Sequence, residues 1–122
     1  MEAPPVKIQS YRNLIVWQRA VELVVAIYEL TKHFPKSEIY GLTNQMRRAA
    51  VSIPSNIAEG KYRGSQKELY RFLRIAFGSG GELETQIEIA KRLRMIEDTK
   101  YAPTDKLLSE VMRMLNRMIT NL

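Results

Sequence analysis

The chain has 122 residues, 45% of them hydrophobic and 26% charged, and its 19 basic and 13 acidic residues give a formal net charge of +6. That is enough for one domain with a modest core, and the cationic excess suits anionic partners such as nucleic acid as well as plain solubility. The absence of cysteine excludes a disulfide scaffold and a thiolate metal site, and makes a reducing cytoplasm the expected setting.

Residues 1–12 read as a flexible N-terminal tail, because MEAPPVKIQS carries two prolines and no apolar stretch of the kind a secretory signal needs. Residues 13–122 read as a single domain. Asn13 is placed to cap a first helix running from Leu14 to about His33. Phe34-Pro35 ends it, since a residue before proline resists the helical region. Gln18, Arg19, Glu22 and Glu29 interrupt its apolar run, so no membrane span is expected. On a helical wheel of about 100° per residue these four polar residues share one wedge. Almost everything else is apolar, including Leu14, Trp17, Val21, Val24, Ile27 and Tyr28. One bundle buries one side of such a helix, and a large residual apolar surface marks an interface. These six residues are therefore the expected contact surface of a homo-oligomer.

Ser37 is the expected cap of a second helix, with Glu38 in its first turn. Leu42, Met46, Ala49, Ile53 and Ile57 form its apolar row. Pro54 predicts a kink, and Gly60 is the expected left-handed stop. A polar row, Gln45, Arg48, Ser52, Asn56 and Glu59, runs beside the apolar one. It fits either a polar network at a subunit contact or ligand groove, or the wet edge of the helix. Ser65 opens a third helix with a capping box, Ser65-Gln66-Lys67-Glu68, and this helix is expected to reach about Met95. Its inward series is Leu69, Phe72, Leu73, Ala76, Gly80, Leu83, Ile87 and Ala90. The stretch Gly78-Ser79-Gly80-Gly81 is weak as an isolated helix, and the expected reason is close packing against a bulky neighbour such as Trp17 or a tyrosine. A fourth helix begins near Thr104 or Asp105 and presents Leu107, Leu108, Val111, Leu115, Met118, Ile119 and Leu122. With no strand-like alternation and only short connections, the expected fold is all-α, an antiparallel up-down-up-down four-helix bundle.

The chemistry-bearing residues are sparse. His33 is the only histidine, and it reads as a helix-end base complementing the dipole. Glu82, Glu84 and Glu88 read as a solvated face, with Glu88 spaced to pair with Arg92. Ser52, Ser55 and Ser79 lack a base, so nucleophilic catalysis is not supported. No catalytic residue, metal ligand or cofactor is expected. The basic residues are more informative, because residues 34–64 carry a net +3 while the other segments carry about +1 each. Lys61 and Arg63 flank the turn between helices two and three. Lys67, Arg71 and Arg74 follow at helical spacing, and Arg47 and Arg48 fall roughly level with Arg74 in an antiparallel hairpin. These seven are the expected phosphate contacts, giving salt-dependent binding indifferent to sequence.

Several runs then appear in order: Leu14-Ile15-Val16-Trp17-Gln18-Arg19-Ala20, Phe34-Pro35-Lys36-Ser37-Glu38-Ile39-Tyr40-Gly41-Leu42, Gln45-Met46-Arg47-Arg48-Ala49-Ala50-Val51-Ser52-Ile53-Pro54, Asn56-Ile57-Ala58-Glu59-Gly60 and Phe77-Gly78-Ser79. From Tyr11 onward the chain resembles the four-helix bundle family of 23S rRNA intervening-sequence proteins. The resemblance implies a homopentameric, barrel-like ring with no catalytic residues. It also implies, through a related bundle, an accessory protein of diversity-generating retroelements that binds a reverse transcriptase and nucleic acid. The expected function is therefore a non-enzymatic RNA- or DNA-binding oligomer, with a protein-interaction scaffold for a reverse transcriptase as the alternative.

Overall fold

The computed structural model describes residues 10–122, and the expectations for residues 1–9 lie outside the described residues. Four helices carry the fold: α1 (Ile15–Thr31), α2 (Leu42–Tyr62), α3 (Gln66–Arg92) and α4 (Ala102–Thr120). Short 3₁₀ turns at Tyr11–Asn13, Lys36–Glu38 and Asp98–Tyr101 precede α1, α2 and α4. Among the described residues there is no strand, and no helix is long and apolar enough to cross a membrane. The protein is an all-helical bundle in which α1 packs on α2 and α4, and α3 packs on the same two helices.

The apolar rows explain this packing. Val16, Ala20, Leu23, Ile27 and Leu30 of α1 recur at helical spacing and meet Met46, Ala49, Ala50, Ile53 and Ile57 of α2 in one core. Leu73, Ala76, Leu83, Ile87 and Ala90 of α3 and Leu108, Val111 and Leu115 of α4 close it. On α3 every residue of the inward series except the half-buried Leu69 is buried. On α4 the expected row holds at its centre, but Leu122 lies exposed beyond the helix end. That helix also begins earlier than expected, at Ala102, with Pro103 in its first turn, where a missing N–H costs nothing.

Four expected helix ends are corrected. Asn13 does not cap α1. It lies in the first 3₁₀ turn, which is itself capped by Ser10 Oγ accepting from the Arg12 N–H at 3.1 Å. Tyr11 and Arg12, assigned above to the tail, are packed: the Tyr11 ring meets Trp17 edge-on at 5.1 Å, and Gln18 Nε2 donates to the Arg12 carbonyl at 2.8 Å. Ser37 does not cap α2. The helix starts four residues later, where Glu38 Oε1 accepts from the Leu42 N–H at 3.3 Å. Gly60 is not the stop of α2, which continues to Tyr62 and passes through the buried Pro54. The left-handed residue is Gly64, at φ 79°. Gly60 serves packing instead, since a Cβ there would lie 2.8 Å from Phe72 Cβ. The third helix ends at Arg92, short of Met95, and Arg94 at φ 54° reverses the chain.

Candidate nucleic-acid interface

The structure separates the seven cations expected to form one strip into three settings. Arg47 turns toward α1. Its Nε donates to Thr31 Oγ1 at 2.9 Å, and its guanidinium lies 4.6 Å from the Tyr28 ring centroid. A half-buried guanidinium held by a hydroxyl and an aromatic face is a clamp between α1 and α2, and this takes Arg47 out of the expected strip.

Arg63 and Arg71 form the second setting. Arg63 pairs with Glu59 at 2.9 Å and with Glu68 at 3.3 Å, and Arg71 pairs with Glu68 at 3.2 Å. Both guanidinium groups also lie over the Phe72 ring, at 5.0 and 4.9 Å from its centroid. Helix α3 builds this cluster at its first turn, where Ser65 Oγ accepts from the Glu68 N–H at 3.1 Å and so orders the carboxylate's backbone. Two carboxylates sit among these cations, so their net field toward a phosphate is reduced.

Arg48, Lys61, Lys67 and Arg74 form the third setting: no ion pair or hydrogen bond engages their charged groups among the described residues. Lys67 and Arg74 stand exposed on α3, seven residues apart and therefore on one face. Lys61 sits half-buried in the last turn of α2, beside Gly64, Ser65 and Leu69. Arg48 lies at the far end of α2, in an open cleft of about 700 Å³ lined by Tyr40, Asn44, Gln45, Glu82, Thr85 and Gln86.

The polar row on α2 resolves into three parts, one of them Glu59, which pairs with Arg63. Ser52 and Asn56 form a network within the chain: Asn56 Nδ2 donates to Ser52 Oγ at 2.9 Å, and Ser52 Oγ meets Ser79 Oγ of α3 at 2.8 Å. Gln45 and Arg48 line the cleft. Sequence reasoning missed this cleft, because Tyr40 lies in a connection and Glu82 and Gln86 lie on another helix. Its signal was the polar row itself, which continues across the α2–α3 junction.

The expected contact surface of α1 divides as well. Ile27 is fully buried in the protomer's own core, so it is removed from the set of residues able to meet a neighbour. Leu14, Trp17, Val21 and Val24 are half-buried, and Tyr28 is partly exposed while holding Arg47. The most exposed apolar side chains of α1 are Ile15, at 61%, and Val25, at 57%. A wheel measures the width of an apolar arc but not which part of it the core takes.

Elsewhere the chemistry is structural. His33 follows the end of α1 and donates its N–H to the Leu30 carbonyl at 3.2 Å. Glu88 pairs with Arg92 at 2.9 Å, the spacing expected from sequence. Among the described residues no group of three or more acidic or histidine side chains is placed to hold a metal ion. Arg19 pairs with Glu22 at 2.9 Å and reaches Glu110 of α4 at 3.1 Å. The Glu22 hydrogen bond and the Glu110 charge raise its pKa.

Comparison with known proteins bears on the family. The profile described as "23S rRNA-intervening sequence protein" matches residues 12–117. Among solved structures, the chain is similar to a protein with unknown function from the S23 ribosomal protein family of Bacteroides thetaiotaomicron VPI-5482. The TM-score is 0.79 and the identity 24%, covering 86% of this chain and 98% of that one. That likeness carries the fold. No curated protein matches the chain.

Proposed function

The chain belongs to the 23S rRNA-intervening sequence protein family, and from that premise we propose that it works without catalysis, as a homo-oligomeric helical bundle that holds RNA or DNA by its phosphates. The observation that carries this reading is that four cations, Arg48, Lys61, Lys67 and Arg74, have no carboxylate partner among the described residues, while Arg63 and Arg71 are neutralised by Glu59 and Glu68. Cations held on rigid helices attract phosphates without reading bases. The proposed topology is up-down-up-down. The Ser52–Ser79 bond across the α2–α3 turn and the Lys91–Asp105 pair at 2.7 Å across the α3–α4 connection favour it. Ile15, Val25, Tyr28 and Val51 remain exposed on α1 and α2, which supports self-association. A pentameric ring is the arrangement the family resemblance favours, and the cytoplasm is its proposed setting. In a ring the cationic groups repeat, so weak contacts add through multivalency.

Fluorescence polarisation with a structured RNA over a range of salt tests this. Four phosphate contacts per protomer predict a log–log slope of about −3. No binding at low salt overturns the reading.

A further inference from the structure

The cleft between the start of α2 and the middle of α3 has features that simple phosphate attraction does not use. Tyr40 stands at its rim with 94% of its surface exposed. An aromatic ring so far out of the core contributes almost nothing to folding by burial. The ring is nevertheless held on a fixed turn. The Gly41 N–H donates to the Glu38 carbonyl at 3.0 Å, and the Leu42 N–H donates to Glu38 Oε1 at 3.3 Å. Opposite Tyr40 the lining is polar and mixed: amides from Asn44, Gln45 and Gln86, a hydroxyl from Thr85, one cation from Arg48 and one carboxylate from Glu82. Gln86 is only 6% exposed, its Nε2 donates to Glu82 at 3.4 Å, and its Oε1 has no hydrogen-bond partner among the described residues. Gln86 therefore steadies the Glu82 carboxylate through its amide N–H, while its oxygen has almost no accessible surface.

The geometry points to a pocket for one unpaired nucleotide of an RNA loop, its base stacked on Tyr40 and its phosphate at Arg48. This rests on the reading of the protein as a nucleic-acid binder and names what that surface takes. An open cleft of about 700 Å³ has room for one nucleotide. A base held outside a helix offers a face for stacking and an edge for hydrogen bonds, and a planar aromatic with nearby amides is the complement of both. The exposed Glu82 carboxylate adds two adjacent acceptor oxygens at the cleft. Among the bases, guanine presents two adjacent N–H donors on its Watson–Crick edge, so this acceptor pair selects guanine. Adenine offers an acceptor nitrogen at the same place and is disfavoured by the Glu82 carboxylate.

The test uses two RNA stem-loops that differ by one loop nucleotide, guanosine or adenosine, read by fluorescence polarisation with the assembly mass followed by light scattering. The unaltered protein binds the guanosine loop about tenfold tighter. Tyr40→Ala weakens that binding about tenfold, as loss of one stacked base does, and Tyr40→Phe retains it. Glu82→Gln removes the preference for guanosine without changing the assembly mass. If the protein binds both loops equally and Tyr40→Ala changes nothing, the pocket is wrong while the phosphate reading stands. If neither loop binds at low salt, both fall. If Tyr40→Ala alters the assembly mass, the ring anchors a second copy of the chain and the nucleotide pocket is overturned.

Discussion

Gly60 and Gly78 both lie inside helices, yet a methyl group added at each meets different surroundings. At Gly60 it would fall 2.8 Å from Phe72 Cβ and 3.4 Å from Leu69 Cα, atoms close to the backbone that cannot swing aside. At Gly78 nothing lies within 4 Å. Gly60→Ala is therefore expected to lower stability by about 1–3 kcal/mol through overpacking. Gly78→Ala is expected to raise it by about 0.5–1 kcal/mol through helix propensity. Denaturant unfolding of the two variants checks the opposite signs. Gly80 is intermediate, because a Cβ there would meet the Met112 sulfur, the end of a flexible side chain. Close packing is thus the reason for Gly80, but its partner is Met112 and not Trp17 or a tyrosine. Tyr101 supplies a prediction with pH. It is 1% exposed and its hydroxyl has no partner among the described residues. Burial first, then the charges of Asp98 and Asp105, raise its pKa from the ordinary 10.0 to about 12. The folded state keeps the phenol neutral where the unfolded state ionises it. Its stabilising contribution is complete below pH 10.0 and is lost as the pH rises to about 12. Tyr101→Phe is expected to flatten that part of the stability profile, measured by unfolding midpoint against pH.

At the scale of the helix, interiors were legible in the sequence, as was the Ser65 start of α3, and most other ends were not. The inward series of α3 was readable because leucines, isoleucines and alanines at spacings of three and four have one way to be buried. Helix starts failed at Asn13 and Ser37 because more than one residue competes to supply the capping oxygen. Ser10 captured the chain before Asn13, and Glu38 reached forward to Leu42 from outside the helix. Such competition among near neighbours is decided by the path the chain takes into the helix, and spacing alone does not say which oxygen wins. The cations show the same division. Their positions on the helices followed from spacing, but the partners that engage Arg47, Arg63 and Arg71 come from α1 and from both sides of the α2–α3 turn. Glu68 is the shared partner at that turn, so Glu68→Gln releases Arg71 and leaves Arg63 with Glu59 alone. Exposed pairs contribute about 0–1 kcal/mol to stability, and the variant is expected to fold normally. It is also expected to bind RNA more tightly, with a log–log salt slope steeper by about one unit or more. An unchanged slope would show that Arg71 does not face the nucleic acid.

For the whole molecule, the deciding property is how many copies act together. Core and surface substitutions on α1 separate folding from association. Ile27 is fully buried, so Ile27→Glu is expected to unfold the protomer, since an unpaired carboxylate in the core costs several kcal/mol. Val25, more than half exposed, carries the association reading: Val25→Glu is expected to leave circular dichroism unchanged and to lower the assembly mass. The most direct measurement is the absolute mass of the purified protein by static light scattering, alone and with a structured RNA at low salt. The account predicts a multiple of the 14.1 kDa protomer mass, increased by the mass of bound RNA. A single 14.1 kDa species, unchanged when RNA is added, would contradict it.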